Sequence, residues 1–100
     1  MDNEALYRRL LERFARERSG FPEQLQELLL HNSKEALNQV HSLKSLAGSL
    51  GMAQLEICAF NVEQELLAGE WQRTSVDKLV NELIAMVELV TLGLSLQHNE

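Results

Sequence analysis

Apolar residues recur every three or four positions along most of this chain, and four short interruptions divide it into five stretches. Leu6, Leu10, Leu11 and Phe14 space a helix over residues 3–18, which Ser19-Gly20 ends. Pro22 suits the first position of a second, short helix with Leu25, Leu28 and Leu29 inward. Asn32-Ser33 offers a stop and a new N-cap. A third helix, about 34–50, turns Ala36, Val40, Leu43, Ala47 and Leu50 to one side, and Gly51 breaks it. A fourth, about 52–68, has Leu55, Ala59, Val62 and Leu66 inward and ends at Gly69. The last, about 75–96, carries Leu79, Leu83, Met86, Val87, Val90 and Leu94 and opens on Thr74 and Asp77, spaced as a capping box. Trp71, in the loop before it, reads as a lid over one end of the core. Nothing alternates with period two over a useful length, so strands are not expected. Short connections between amphipathic helices favour antiparallel neighbours. The expected fold is all-α: one domain over residues 1–100, an antiparallel up-and-down four-helix bundle with an additional N-terminal helical segment.

Composition narrows the function more than the fold. A net charge of −6 argues against nucleic acid, which requires a basic surface. Arg8, Arg9, Arg13, Arg16 and Arg18 crowd the first helix, but Glu4, Glu12 and Glu17 are interleaved with them. That pattern predicts a solvated face laced with ion pairs. Cys58 is the only cysteine, sits among Ile57, Ala59 and Val62, and reads as a small core residue in a reducing compartment. The most apolar stretch, Leu83 to Leu96, is shorter than a membrane span and contains Glu88. No signal-peptide layout opens the chain, so a cytoplasmic protein without membrane attachment is expected.

The third helix departs from a plain amphipathic pattern. At 100° per residue, His41, Lys44, Ser45 and Gly48 share one stripe, centred roughly 140° from the apolar side. His41 therefore points away from the core, among side chains too short to shield it and beside a cation suited to an anion. His31 and His98 invite plainer readings: the first ends a helix, where a partly charged imidazole suits the dipole, and the second lies in the C-terminal tail. Gly48 costs about 1 kcal/mol relative to alanine within a helix. On an exposed face it improves no evident core packing, but it lets another protein's backbone come close.

These residues resemble the signature of the histidine-containing phosphotransfer (HPt) domains of multistep two-component signalling. In that family a histidine is followed three residues later by lysine, then a small residue, then glycines near i+7 and i+10. Here the series reads His41, Lys44, Ser45, Gly48 and Gly51. Two positions depart from the pattern: Ser45 stands where glycine is usual, and Val40 where a small residue often precedes the histidine. The resemblance spans the chain and implies a phosphocarrier without independent enzymatic activity. His41 would accept a phosphoryl group from a receiver-domain aspartate and pass it reversibly to another. Lys44 would stabilise the phosphoryl charge. Ser45 and Gly48 would permit access, and Leu37 and Asn38 would flank the docking surface. The resemblance implies no cofactor or metal in this chain, magnesium being the receiver's, and names response-regulator receivers, or a hybrid sensor kinase, as partners of a monomer.

Glu63 lies about as far beyond the Gly51 turn as His41 precedes it. It could accept a hydrogen bond from His41 Nδ1, pair with Lys44, or stand in solvent. Two alternatives use the same face differently: a helical adaptor without phosphoryl chemistry, and the dimerisation and phosphoacceptor segment of a sensor kinase. The latter lacks the usual acidic residue after its histidine and the downstream proline. A di-iron bundle is excluded, because Leu28, Asn38 and Ser95 precede the three histidines where Glu-x-x-His pairs would be needed.

Overall fold

The structure, a computed structural model, describes residues 3–98, with side chains described as far as Leu94. Five helices follow one another: α1 Asn3–Arg18, α2 Phe21–His31, α3 Ser33–Ser49, α4 Ala53–Leu67 and α5 Arg73–His98. Each packs on the next, and α5 returns to α1, so the neighbours form a closed ring; α3 with α4 is the most extensive pairing. Phe14, Phe21, Leu25, Val40, Leu43, Leu55, Val62, Val76, Leu79 and Leu83 are almost fully buried within it.

Turn chemistry sets the positions that matter for function. Asn32 closes α2 and caps α3, its side-chain oxygen accepting from Glu35 N at 3.1 Å. The α3 C-terminus closes with the paired bonds Met52 N to Ala47 O (2.9 Å) and Gly51 N to Gly48 O (3.2 Å). This is the Schellman arrangement, which requires a left-handed residue; Gly51 supplies it at φ 74°. Gly69 repeats the device after α4 at φ 82°. With so tight a turn, α4 must run back directly along α3.

Several expectations need correction. Leu6 is not core: it is 57 % exposed. At 1.5 Å per residue the 26 residues of α5 span about 39 Å, against about 25 Å for the 17 of α3. Part of α1 and α5 therefore has only the other helix to cover it. Arg18 does not belong to a solvated ion-pair face either. Its guanidinium lies 5.6 Å from the Phe21 ring centre, its Nε is buried without a partner, and burial holds its pKa below the usual arginine value. Arg13 and Glu17 do pair, at 3.1 Å. The capping box of Thr74 and Asp77 does not form, because α5 begins earlier, at Arg73, and both residues lie inside the helix rather than at its cap. Glu65 of α4 organises that start instead: Oε1 accepts from Gln72 N at 2.8 Å and Oε2 from Ser75 Oγ at 2.5 Å. Cys58 is half-buried at the core's edge, where burial, with Glu82 adding, pushes its thiol pKa up. The His98 side chain falls outside the described residues.

Candidate functional site

The outer stripe of α3 meets α4 along a polar seam. His41 and Glu63 stand eleven residues before and after position 52, Lys44 and Phe60 eight, and Gly48 and Glu56 four. Each pair is in contact, as an antiparallel hairpin with its turn at Gly51-Met52 requires. His41 Nδ1 lies 2.5 Å from Glu63 Oε2, and Lys44 Nζ donates to Glu63 Oε1 at 2.7 Å. The Lys44 ammonium also stands 5.6 Å from the Phe60 ring centre. A Cβ at Gly48 would come within 2.9 Å of Glu56 Oε2.

Burial within this group is graded. The His41 side chain is 59 % exposed, that of Lys44 25 %, and that of Glu63 only 8 %. Glu63 thus contacts both α3 partners at once and is not a solvated glutamate. A carboxylate out of water demands full hydrogen bonding, and its two oxygens divide that demand between a cation and an imidazole. The Lys44 hydrogen bond, opposed by burial and assisted by the His41 bond, holds the Glu63 carboxyl below the usual glutamate range.

The consequence for the imidazole is geometric. With Nδ1 against an anionic acceptor, the proton belongs on Nδ1 and the lone pair on Nε2. The ring is anchored by its inner edge and more than half open to solvent. That is a fixed tautomer presenting a nucleophilic nitrogen.

The remaining residues singled out from the sequence take simpler positions. Ser45 and Gly48 are exposed beside the histidine. Asn38 is exposed and donates to Glu35 Oε1 at 3.4 Å; Leu37 is half-buried. The space over Gly48 is occupied by the chain's own Glu56 carboxylate, not left open for a partner. Glu56 and Phe60 are absent from the sequence reading, yet the same reflection about the turn that picks out Glu63 from His41 would have picked out Phe60 from Lys44 and Glu56 from Gly48. Among the described residues, no group of His, Cys, Asp and Glu is arranged to hold a metal ion. No helix among them is long and apolar enough to cross a membrane.

A family model described as Hpt domain matches residues 9–91, taking in all of α2, α3 and α4 and most of α1 and α5. No match was found among curated proteins or among solved structures.

Proposed function

Because this chain belongs to the Hpt domain family, whose members carry phosphoryl groups on histidine in phosphorelays and are phosphocarriers rather than enzymes, we propose that His41 is its phosphoacceptor. The phosphoryl group would come from the phospho-aspartate of a response-regulator receiver domain and pass reversibly to another. The observation that carries this reading is the anchored, half-open imidazole, whose Nδ1 is held by Glu63.

In the forward step the Nε2 lone pair forms the N–P bond while the P–O bond to the receiver's aspartate breaks, its electron pair returning to that carboxylate. The attacking ring becomes positive as it gives up its lone pair. Glu63, already against Nδ1–H, compensates that charge without having to move, a preorganised electrostatic contribution. Lys44 offsets the Glu63 charge and stands beside the incoming phosphoryl oxygens. Alignment of the nucleophile is this chain's part; any divalent cation belongs to the receiver. We place the protein in the cytoplasm as a monomer.

The test is phosphoryl labelling of His41 by receiver domains charged with acetyl phosphate, and directly by phosphoramidate. Wild-type chain is expected to label by both routes, with acid-labile, alkali-stable phosphate mapping to His41. His41→Gln is expected to lose all labelling while the chain stays folded, at a cost of about 1 kcal/mol for the hydrogen bond to Glu63 that the imidazole supplies. Labelling that survives in this variant would refute the assignment.

A further inference from the structure

The second half of α5 is apolar on two sides. Leu83, Met86 and Val90 face the core. Leu89 and Leu92 stand in water at 60 and 58 % exposure, about 120° around the helix from them. Ala85, also exposed, continues this outer stripe one turn back. Between Leu83 and Leu94 the one charged residue is Glu88. Gly93 lies in the same stretch, and a Cβ there would meet nothing within 4 Å. A glycine weakens a helix interior, yet no packing among the described residues calls for this one.

This stretch belongs to the end of the molecule where α1 and α5 have only each other for cover. Leu6 and Tyr7 of α1 are 57 and 46 % exposed there. Tyr7, Leu50, Met86, Leu89, Val90 and Gly93 line an open apolar groove beside them. The end is also electrically neutral. Residues 3–11 and 83–94 carry Glu4 and Glu88 against Arg8 and Arg9, in a chain of net charge −6. Such a surface selects neither a basic nor an acidic partner, and it meets its own copy without local repulsion. The family match covers residues 9–91, so Leu6, Tyr7, Leu92 and Gly93 fall outside it.

We propose that a second copy of this chain covers this end at high concentration, the two α5 helices crossing antiparallel about a two-fold axis between Leu89 and Leu92. That register sets Leu89 of each copy on Leu92 of the other, a self-complementary contact of the kind two-fold pairs require. It offsets the two Glu88 carboxylates by about 7.5 Å along the axis, whereas a parallel pairing would bring them level. Gly93 lets the backbones approach on its flank. The interface is small, below about 600 Å² per copy, so the association is weak and reversible. His41 stays uncovered, because α3 packs chiefly on α2 and α4. The single chain therefore remains the carrier, and the pairing does not depend on phosphoryl chemistry.

The experiment is sedimentation velocity of the full chain from about 1 to 300 µM, the range in which small interfaces associate. Wild type is expected to pass from 11.4 kDa towards twice that mass. Leu89→Glu should weaken association by about tenfold or more, and Leu92→Gln, a milder change suited to a helix, by less. Leu30→Glu is the control on α2, where Leu30 is 71 % exposed, and should associate as wild type does. Circular dichroism confirms that each variant folds; if Leu89→Glu does not, Leu92→Gln decides. The register is read by oxidising an equimolar mixture of Leu89→Cys and Leu92→Cys chains, each also carrying Cys58→Ser. Mixed disulfide should exceed its statistical yield. A wild type that stays at 11.4 kDa throughout would overturn the proposal. So would a pair that survives in both leucine variants, or one lost equally in Leu30→Glu. Mixed disulfide at or below the statistical yield would overturn the antiparallel crossing.

Discussion

Glu63 and Glu65 stand two residues apart on α4 and point to different sides of it, about 200° apart. Both use each carboxylate oxygen for one donor. Glu63 holds His41 and Lys44 of α3; Glu65 holds the Gln72 N–H and Ser75 hydroxyl at the start of α5. What differs is the donors. One carboxylate gathers a cation and an imidazole and leaves a ring nitrogen facing solvent. The other ties a backbone amide and a hydroxyl into a joint. Saturated hydrogen bonding alone therefore does not mark a site; a reactive group with one edge fixed and one edge open does.

The sharpest way to separate the two is to remove each in turn, and the larger effect is expected at Glu63. Glu63→Ala leaves Lys44 three-quarters buried without its counter-ion and His41 Nδ1 without its acceptor. Stripping one partner from a largely buried charged pair costs about 2 kcal/mol, read as a lowered midpoint in urea. Receiver-driven labelling of His41 should fall by about tenfold or more, since Glu63 compensates the ring's charge only as the N–P bond forms. A variant that is destabilised but transfers normally would reduce Glu63 to a structural role.

Acid provides an independent check on the same carboxylate. A group whose folded pKa lies below its unfolded value, about 4.3 for glutamate, contributes its full stabilisation above that unfolded value. The contribution is lost as pH falls through the depressed folded pKa. Lys44 and His41 are the charged or titratable groups bonded to Glu63, and Lys44 is the main cause of the depression. The stability that the Glu63 charge contributes, read as the difference between wild type and Glu63→Gln, should thus shrink as the solution is acidified below about pH 4. A difference that does not change with pH would mean that the carboxylate's charge is not what holds the seam.

Glu65→Ala is expected to cost less, about 1 kcal/mol, the range for losing a helix-terminus contact. His41 labelling should be unchanged. Arg73 offers a partial reserve at this joint: it donates to Gln26 Oε1 at 2.8 Å and lies 5.0 Å from the Trp71 ring centre, so α5 stays tied to α2. Loss of labelling in this variant would erase the distinction between joint and site.

The same pair shows what is legible in a sequence of this kind. Helix periodicity and the glycines that end α3 and α4 are local signals, and the five helices follow from them. The Gly51 turn is tight enough that distance along the chain predicts contact across the hairpin, which brings Glu63 within reach of His41 on paper. Whether Glu63 would take the imidazole, the lysine, both or neither was not legible, because that depends on how far the carboxylate is buried. The start of α5 was misplaced for a related reason. Its organiser, Glu65, lies on another helix across a loop, and no local capping pattern announces it. Leu6 looks like core by spacing alone, since only the relative lengths of α5 and α3 reveal that part of α1 lies beyond the bundle's cover.

Gly48 carries the smallest expected effect and separates two explanations of its presence. Inside a helix, alanine is favoured over glycine by about 1 kcal/mol. Against that gain, a Cβ here would stand 2.9 Å from Glu56 Oε2 and 3.2 Å from its Cδ. The obstructing atoms end a flexible, exposed side chain with no hydrogen bond holding it among those described, so it can swing aside at little cost. Gly48→Ala is therefore expected to stabilise the chain by a few tenths of a kcal/mol, up to about 1. Adding Glu56→Ala should raise that gain, because the two sites share one contact and their effects need not add. If Gly48→Ala is destabilising and Glu56→Ala restores it, the glycine serves the α3–α4 seam. If Gly48→Ala is stabilising and a bulky residue at 48 impairs only receiver-driven labelling, the chain tolerates a weaker helix so that a partner can approach.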